Sequence, residues 1–199
     1  MKNYLFVGIM LIMLISTGLQ YANAAEKEWK FDTAHSRFYF TVDHIFAKVI
    51  GFFEDFSGTF IFDPENLAES RIDIEIKAAS INTNIRKRDD HLRSDDFFAV
   101  SKYPLITFRS KRITHKANDL YEVTGDFTIK DVTQEVVLDM KYFGTRDNPL
   151  KEGEIVAGFE TGISIDRLTY HVGSGKYYKM GVAGKDVAIL VSLEMLRDK

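Results

Sequence analysis

Alternation of apolar and polar side chains is strongest in residues 36–62, which read SRFYFTVDHIFAKVIGFFEDFSGTFIF. In the first part of this stretch one face carries Ser36, Phe38, Phe40, Val42 and His44. The side chains between them are mostly polar, and a period of two with one polar face is typical of a β-strand that is buried on one side. The segment therefore predicts a strand that turns one face towards a core.

The remainder of the same stretch predicts a bent sheet. Two further alternating runs, at 49–53 and 56–62, are separated by a change of phase. Gly51 and Gly58 lie inside these runs, and glycine allows a strand to bend or to approach its neighbour closely. Turn-forming residues that begin at Asp63 end the second run.

The period of two continues through the rest of the chain. Six more alternating segments lie at residues 71–79, 106–111, 121–130, 136–142, 157–165 and 187–195. Short polar turns join them and helical periodicity is almost absent, which favours an antiparallel all-β domain, either a sandwich or a barrel. The glycines within strands favour closure of one curved sheet. We therefore predict an up-and-down antiparallel β-barrel of about eight strands, which can enclose one elongated ligand.

One stretch, from Ser80 to Ser110, interrupts the alternation. It contains a dense cluster of charged residues at 86–96. Thr83 or Asn84 fits the N-cap of a helix over residues 85–93. The sequence therefore predicts a short helical insertion in the barrel.

Two interpretations of this insertion are open. Leu92, Phe97 and Phe98 would close one end of the barrel if the insertion is a lid, whereas a solvated capping helix would touch no ligand. On the predicted helix, Asp89 faces apolar surroundings. Its carboxylate then needs a partner, either a neighbouring arginine or histidine side chain or backbone N–H groups.

The first 24 residues predict a secretory signal peptide. Lys2 supplies a positive start, residues 4–19 are almost wholly apolar, and Ala22-Asn23-Ala24 is a small-x-small cleavage pattern. Cleavage leaves residues 25–199 as one domain, and the loss of Lys2 changes the net charge from −3 to −4. Such mild acidity argues against nucleic-acid binding. We predict a periplasmic or secreted protein without a stable membrane anchor after cleavage, held by its own core because it has no cysteine.

Motifs for catalysis and metal binding are weak. The five histidines lack the close spacing of a zinc site and cysteine is absent, so we predict no metal site and no cofactor. Asp89, His91 and Ser94 share one short segment without a Gly-x-Ser-x-Gly elbow, and no catalytic residue is assigned. Residues 173–176 lack the first glycine of a phosphate loop, so a flexible loop is expected. Its lysine and Lys179 could meet an anionic head group at the barrel rim.

Several ordered blocks run along the chain. They are Phe31-Asp32-x-x-His35-Ser36, Val42-x-His44, Val49-x-Gly51-x-Phe53-x-x-Phe56-x-Gly58-x-Phe60, Arg88-Asp89-x-His91-Leu92-x-Ser94-x-Asp96-Phe97-Phe98-x-x-x-x-Tyr103-Pro104 and Gly125-Asp126-Phe127-Thr128-Ile129-Lys130-x-Val132-Thr133. In this combination the chain resembles the YceI-like family of exported bacterial proteins. The resemblance implies a lipocalin-like barrel whose apolar channel binds polyisoprenoid or similar long-chain amphiphilic lipids, without an established enzymatic activity. Phe127 stands where the family often has leucine, a change in volume that would alter the width of the channel.

The resemblance and the alternation together predict a binding protein that sequesters or carries such a lipid. Two alternatives are open: an enzyme acting on a prenyl lipid or diphosphate, with Asp89, His91 and His44 as acid or base, and a stress-response partner-binding module with a filled core. A homodimer is left open as well. His44 is in phase with the inward face of its strand and is expected inside the barrel. The predicted ligand-binding residues are Phe38, Phe40, Val42, His44, Phe53, Phe56, Phe60, Ile74, Ile76, Leu92, Phe97, Phe98, Ile106, Phe108, Val123, Phe127, Ile129, Phe159 and Ile163, and Ile72, Val136 and Leu138 are also expected to point inward.

Overall fold

A computed structural model describes residues 28–199, so the predicted signal peptide lies outside the described residues. Eleven strands make up most of these residues. They are β1 (Lys30–Phe31), β2 (Arg37–His44), β3 (Ala47–Phe53), β4 (Phe56–Ile61), β5 (Arg71–Lys77), β6 (Ile81–Asn82), β7 (Leu105–Ala117), β8 (Leu120–Ile129), β9 (Val132–Asp147), β10 (Glu154–Asp166) and β11 (Ala183–Asp198). A 3-10 turn covers Ala78–Ser80, and the helices are α1 (Arg86–Arg93) and α2 (Lys176–Lys179).

The strands form one antiparallel sheet that curls into a barrel. Its order is β4-β5-β7-β8-β9-β10-β11-β2-β3-β6. The N-terminal segment joins the edge strand β4 to β11, because Lys30 pairs with Leu196 while Glu28 pairs with Ile61. The predicted up-and-down antiparallel barrel is confirmed. Its nine longer strands correspond to the nine alternating segments of the sequence, whereas β1 and β6, with two residues each, are too short to show a period.

The predicted helix is present, but its cap differs from the prediction. Ile85 occupies the N-cap position of α1 and makes no side-chain capping hydrogen bond. Asn84 has a left-handed backbone with a φ of 62°. The Thr83 hydroxyl instead donates to the Asp89 carboxylate. The first turn of α1 is therefore held by the Asp89 side chain, which reaches back to Thr83 before the helix.

The two ends of the barrel differ in their connections. One end, called the α1 end, carries residues 44–47, 78–104, 130–131 and 167–182. The opposite end, called the far end, carries the connections at residues 62–70, 118–119 and 148–153. All of the helical structure in residues 28–199 thus lies at the α1 end or next to it.

Aromatic side chains fill the far end. The Phe62 ring contacts Tyr121 at 5.0 Å and Phe159 at 5.3 Å between centroids, and Phe60 lies 4.7 Å from Phe159. The Trp29 indole N–H donates to the Phe62 carbonyl at 3.1 Å. Each fully buried aromatic ring of this kind stabilises the fold by about 1.5–3 kcal/mol. The cluster forms a solid floor, so any space inside the barrel must lie towards the α1 end.

Candidate ligand-binding cavity

A cavity of about 380 Å³ lies inside the barrel above this floor. Volumes of about 300–1,000 Å³ are usual for small-molecule sites. Inward-facing positions of the strands supply most of the wall, as expected from their alternation. Ile72, Val136 and Leu138 belong to this wall. The predicted binding residues that line it are Phe38, Phe40, Val42, His44, Phe53, Phe60, Ile74, Ile76, Leu92, Phe97, Phe98, Ile106, Phe108, Val123, Phe127, Ile129, Phe159 and Ile163.

Phe56 is the predicted binding residue that does not line the cavity. Its ring is buried against Phe31 and Phe38, with centroid distances of 5.6 and 4.8 Å. Strand β1, which the sequence pattern does not predict, supplies the Phe31 ring. Phe56 is therefore a core residue beneath the wall. The role of the lining residues in binding stays a prediction.

His44 lies at the rim of the cavity and is exposed to solvent, so its predicted place inside the barrel is wrong. It is the last residue of β2 and pairs with Ala47 across a two-residue turn. Side-chain alternation continues to this point, but here β2 is still paired with β3 and β11 and has reached the rim of the barrel. The phase of a residue identifies its face of the sheet and not its depth along the barrel.

Aromatic side chains from the insertion lie across the α1 end. Phe97 stacks on Tyr177 at 6.1 Å with an interplanar angle of 17°, and its ring makes an edge contact with His91 at 5.0 Å. Phe98 makes an edge contact with Phe53 at 6.1 Å. Leu92 is half-buried on α1 and packs against the core. The structure thus places the three predicted gate residues between the cavity and the surface at this end.

Asp89 holds the helix in place. Its Oδ1 atom accepts the Thr83 N–H at 2.9 Å as well as the Thr83 hydroxyl. Within residues 28–199, no arginine, lysine or histidine nitrogen lies within 4 Å of the buried Asp89 carboxylate. The expected need for a partner is therefore met by one backbone N–H group and one hydroxyl.

The residues considered for catalysis are not joined into a catalytic triad. His91 Nε2 lies 3.0 Å from an oxygen of Asp96, and the Ser94 hydroxyl donates to the His91 carbonyl at 2.7 Å. The Asp89 carboxylate accepts the hydroxyl of Thr83, the residue that follows β6, and not a histidine. The Ser94 hydroxyl thus bonds the backbone of His91 and not its ring.

The loop after β10 is ordered by a buried arginine that sequence reasoning missed. Arg167 is only 7% exposed and lines the cavity. Its Nε atom donates to the Gly184 carbonyl at 2.8 Å, and Nη1 donates to the Val172 carbonyl at 2.7 Å. Burial lowers the pKa of the Arg167 guanidinium, because loss of water penalises its charged form. A single arginine after a strand gives no sequence signal for such burial.

Lys130 ties two parts of the α1 end together. Its Nζ atom donates to the Phe97 carbonyl at 2.8 Å and to the His171 carbonyl at 2.6 Å. The backbone of Lys130 is left-handed, with a φ of 56°, in the tight turn between β8 and β9. Sequence reasoning did not assign it a role, although it belongs to the block that begins at Gly125.

One group of side chains in residues 28–199 has the composition of a metal site. The ligand atoms of Asp32, His35 and Glu194 lie within 4.8 Å of one another. Asp32 Oδ1 also accepts the N–H of Ala34 at 2.9 Å, and Oδ2 lies 2.8 Å from His35 Nδ1. This hydrogen bond raises the pKa of His35. Next to it, the buried Ser36 hydroxyl donates to the Glu194 carbonyl and accepts its N–H, each at 3.0 Å. The group therefore fixes the entry into β2.

Comparisons with known proteins agree with the fold and with the sequence blocks. Residues 29–195 match the model of the YceI-like domain. A UPF0312 protein of Pectobacterium atrosepticum is 35% identical over 190 residues, covering 94% of this chain and 93% of that protein. Protein YceI of Escherichia coli is 34% identical over 180 residues, covering 89% and 91%.

Solved structures with the same fold include a YceI protein of Campylobacter jejuni, with a TM-score of 0.67, 32% identity and coverage of 77% of this chain and 87% of that one. A polyisoprenoid-binding domain from Saccharophagus degradans has a TM-score of 0.61 at 16% identity, covering 86% and 98%. In residues 28–199 no helix has the length and apolar character needed to cross a membrane. On the match to residues 29–195 and on these identities, the chain belongs to the YceI-like family.

Proposed function

We propose that this protein binds a polyisoprenoid or similar long-chain amphiphilic lipid inside its barrel and sequesters or carries it through an aqueous compartment. The observation that carries the proposal is the apolar cavity of about 380 Å³. Each methylene group that enters it from water would contribute about 0.8 kcal/mol to binding. Affinity then comes from burial of the chain, and selectivity comes from its length and from a few polar groups.

Two further observations support this function. The Saccharophagus degradans domain with the same fold is described as polyisoprenoid-binding. The alternative of a partner-binding module assumes a filled core, and the presence of the cavity argues against that alternative. We place the protein in the periplasm or outside the cell, because the first 24 residues have the pattern of a signal peptide.

The test is native mass spectrometry with lipid extraction on protein purified without detergent, followed by titration with farnesol. Two matched variants on β9 test whether the lipid is held in the cavity. Val136 lines it, whereas Val137 is 55% exposed on the opposite face of the strand. We expect V136W to lose bound lipid because the indole occupies the ligand volume, and V137W to retain it.

An empty wild-type barrel that takes up no added prenyl lipid would overturn the proposal. So would V136W that binds farnesol as tightly as V137W while both show wild-type circular dichroism. Turnover of farnesyl diphosphate by the wild-type protein would favour the enzyme alternative instead.

A further inference from the structure

The cavity wall is almost wholly apolar, yet a guanidinium group is buried in it. Arg167 is 93% buried by its 7% exposure and lies at the α1 end, directly after β10. Two of its nitrogens donate to backbone carbonyls, at 2.7 and 2.8 Å. The third, Nη2, is buried and has no hydrogen-bond partner. An unpaired buried donor is costly, more so on a charged group, so its presence requires an explanation.

No carboxylate of the described residues lies within 4 Å of this guanidinium. The adjacent Asp166 is committed elsewhere, since its Oδ2 accepts the Lys185 ammonium at 2.9 Å and its Oδ1 accepts the Leu168 N–H at 2.9 Å. Asp43, on the rim, is paired with Lys48 at 2.6 Å. Glu160 also borders the cavity, but its side chain is exposed to solvent. Arg167 therefore feels the charge of the adjacent Asp166 but, within residues 28–199, has no carboxylate in direct contact with its guanidinium.

The position of Arg167 is fixed before any ligand arrives. The backbone at Gly173 passes so close that a Cβ atom there would lie 2.6 Å from Arg167 Nη1. Phe97 covers the group with its ring centroid 5.9 Å from the guanidinium carbon. Phe97 is also one of the residues that separate the cavity from the surface. The Phe97 ring thus lies against the guanidinium and lines the cavity at its entrance as well.

Two other basic side chains of α1, Arg88 and His91, line the cavity at the same end. The floor at the far end, to which Phe60 and Phe159 contribute, is apolar. A ligand with one polar end and one apolar end therefore meets opposite surroundings at the two ends of the cavity.

We propose that Arg167 is the head-group anchor of the cavity, and that it selects lipids whose chain ends in an anionic oxygen group, a phosphate or a carboxylate. This inference rests on the proposed lipid-binding function and adds the class of head group and the orientation. The head lies at Arg167 beside Phe97, and the chain runs towards Phe60 and Phe159. Charge-assisted hydrogen bonds from a guanidinium to such oxygens are among the strong ones in proteins.

The first experiment uses the wild-type protein and three ligands. Isothermal titration calorimetry compares farnesyl phosphate, farnesol and farnesoate, which share the farnesyl skeleton and differ in the head group. We expect farnesyl phosphate to bind at least about tenfold more tightly than farnesol. If farnesoate also binds more tightly than farnesol, the selected class includes carboxylates; if it does not, the class is restricted to phosphates.

Equal affinities for farnesyl phosphate and farnesol would overturn the inference and leave the proposed function intact. Failure of all three ligands to bind would overturn the proposed function itself. The two failures are therefore distinguishable in wild-type protein, independently of any variant.

The second experiment assigns the preference to one side chain. R167M keeps an unbranched side chain but removes the guanidinium and its charge, so the ratio of the two affinities should fall to near one. R167K retains a positive charge but not the planar guanidinium, so it should give an intermediate ratio of the two affinities. This variant keeps the test usable if R167M does not fold. K176M tests the rival contact, since Lys176 is an exposed lysine at the same end that could meet an anionic head group, and K102M is the control because Lys102 is exposed there and does not line the cavity. Loss of the preference in K176M together with its retention in R167M or R167K would overturn the assignment.

Discussion

Thr83 and Asp89 are joined by two hydrogen bonds, since Asp89 Oδ1 accepts both the backbone N–H and the hydroxyl of Thr83. Arg88 adds two more, from Nε to the Thr83 hydroxyl at 2.7 Å and from Nη2 to the Thr83 carbonyl at 2.8 Å. Thr83 directly follows β6, so these bonds attach the first turn of α1 to the sheet. The helix in turn positions Leu92 at the mouth of the cavity.

D89A should lower the free energy of unfolding by about 1–3 kcal/mol, because it leaves the buried Thr83 N–H without an acceptor. The neighbouring variant D90A is the control. Asp90 is exposed and pairs on the surface with Arg93 at 3.1 Å and with Arg86 at 3.8 Å, so its removal should change stability by less than about 0.5 kcal/mol. Urea denaturation measures both. Equal losses in the two variants would contradict the structural role given to Asp89.

K130M should loosen the α1 end without unfolding the barrel. The ammonium of Lys130 holds the carbonyls of Phe97 and His171, and a neutral thioether cannot donate to either. We expect amide hydrogen exchange at Phe98 and Val172 to become at least roughly tenfold faster, since each hydrogen bond to a charged group contributes about 1.5–3 kcal/mol.

The control for this change is K102M, which removes an exposed lysine near the same turn whose ammonium lies over the Tyr103 ring at 4.9 Å. Exchange at Phe98 and Val172 should keep its wild-type rate in K102M. Unchanged rates in K130M as well would show that the two carbonyl contacts do not hold the loop.

The sequence predicts the barrel well because burial on one face leaves a period of two. Phe38 and Phe53 are buried as their phase requires. The phase does not tell how close a residue lies to the end of the barrel, and His44, at the rim, is exposed. The phase also does not distinguish a residue that lines the cavity from one buried beneath the wall. Phe56 is buried beneath the wall because the Phe31 ring of the two-residue strand β1 packs against it.

The polar part of the site is harder to predict. Arg167 follows a strand and resembles any surface arginine in the sequence, and its burial depends on contacts with Gly184, Val172 and Gly173 from the following loop and strand. Lys130 likewise reaches residues 33 and 41 positions away along the chain. Such contacts depend on how the loops pack in the folded protein, and they produce no periodic pattern in the sequence.

G58A should destabilise the sheet by at least about 2 kcal/mol. Gly58 has a φ of 151°, and a Cβ atom there would lie 1.9 Å from the Asp73 carbonyl oxygen on the paired strand β5. The obstacle is backbone, which cannot rotate away as a side chain can. G184A is the control, because the nearest atom to its new Cβ would be 3.4 Å away. Thermal denaturation should show a large fall in Tm for G58A and a small change for G184A. A Tm of G58A within about 1 °C of wild type would contradict this packing.

H35Q should be less stable than the wild type at acidic pH and equally stable at high pH. The hydrogen bond to Asp32 raises the pKa of His35 from its ordinary value of 6.5, and the same bond lowers the pKa of Asp32 from 3.8. A raised histidine pKa means that the folded state holds the proton more tightly. The contribution of His35 to folding stability is therefore complete below the unfolded pKa of 6.5 and disappears as the pH rises through the higher folded pKa. The contribution of Asp32 requires a pH above about 3.8.

The difference in urea midpoint between wild type and H35Q should be largest at pH 5–6 and absent at pH 9. Because the pair is exposed, the measurement needs low ionic strength, and 1 M salt should reduce the difference at pH 5–6. A gap that is equal at pH 5.5 and pH 9 would mean that the imidazole stabilises the turn by packing and not by its charge.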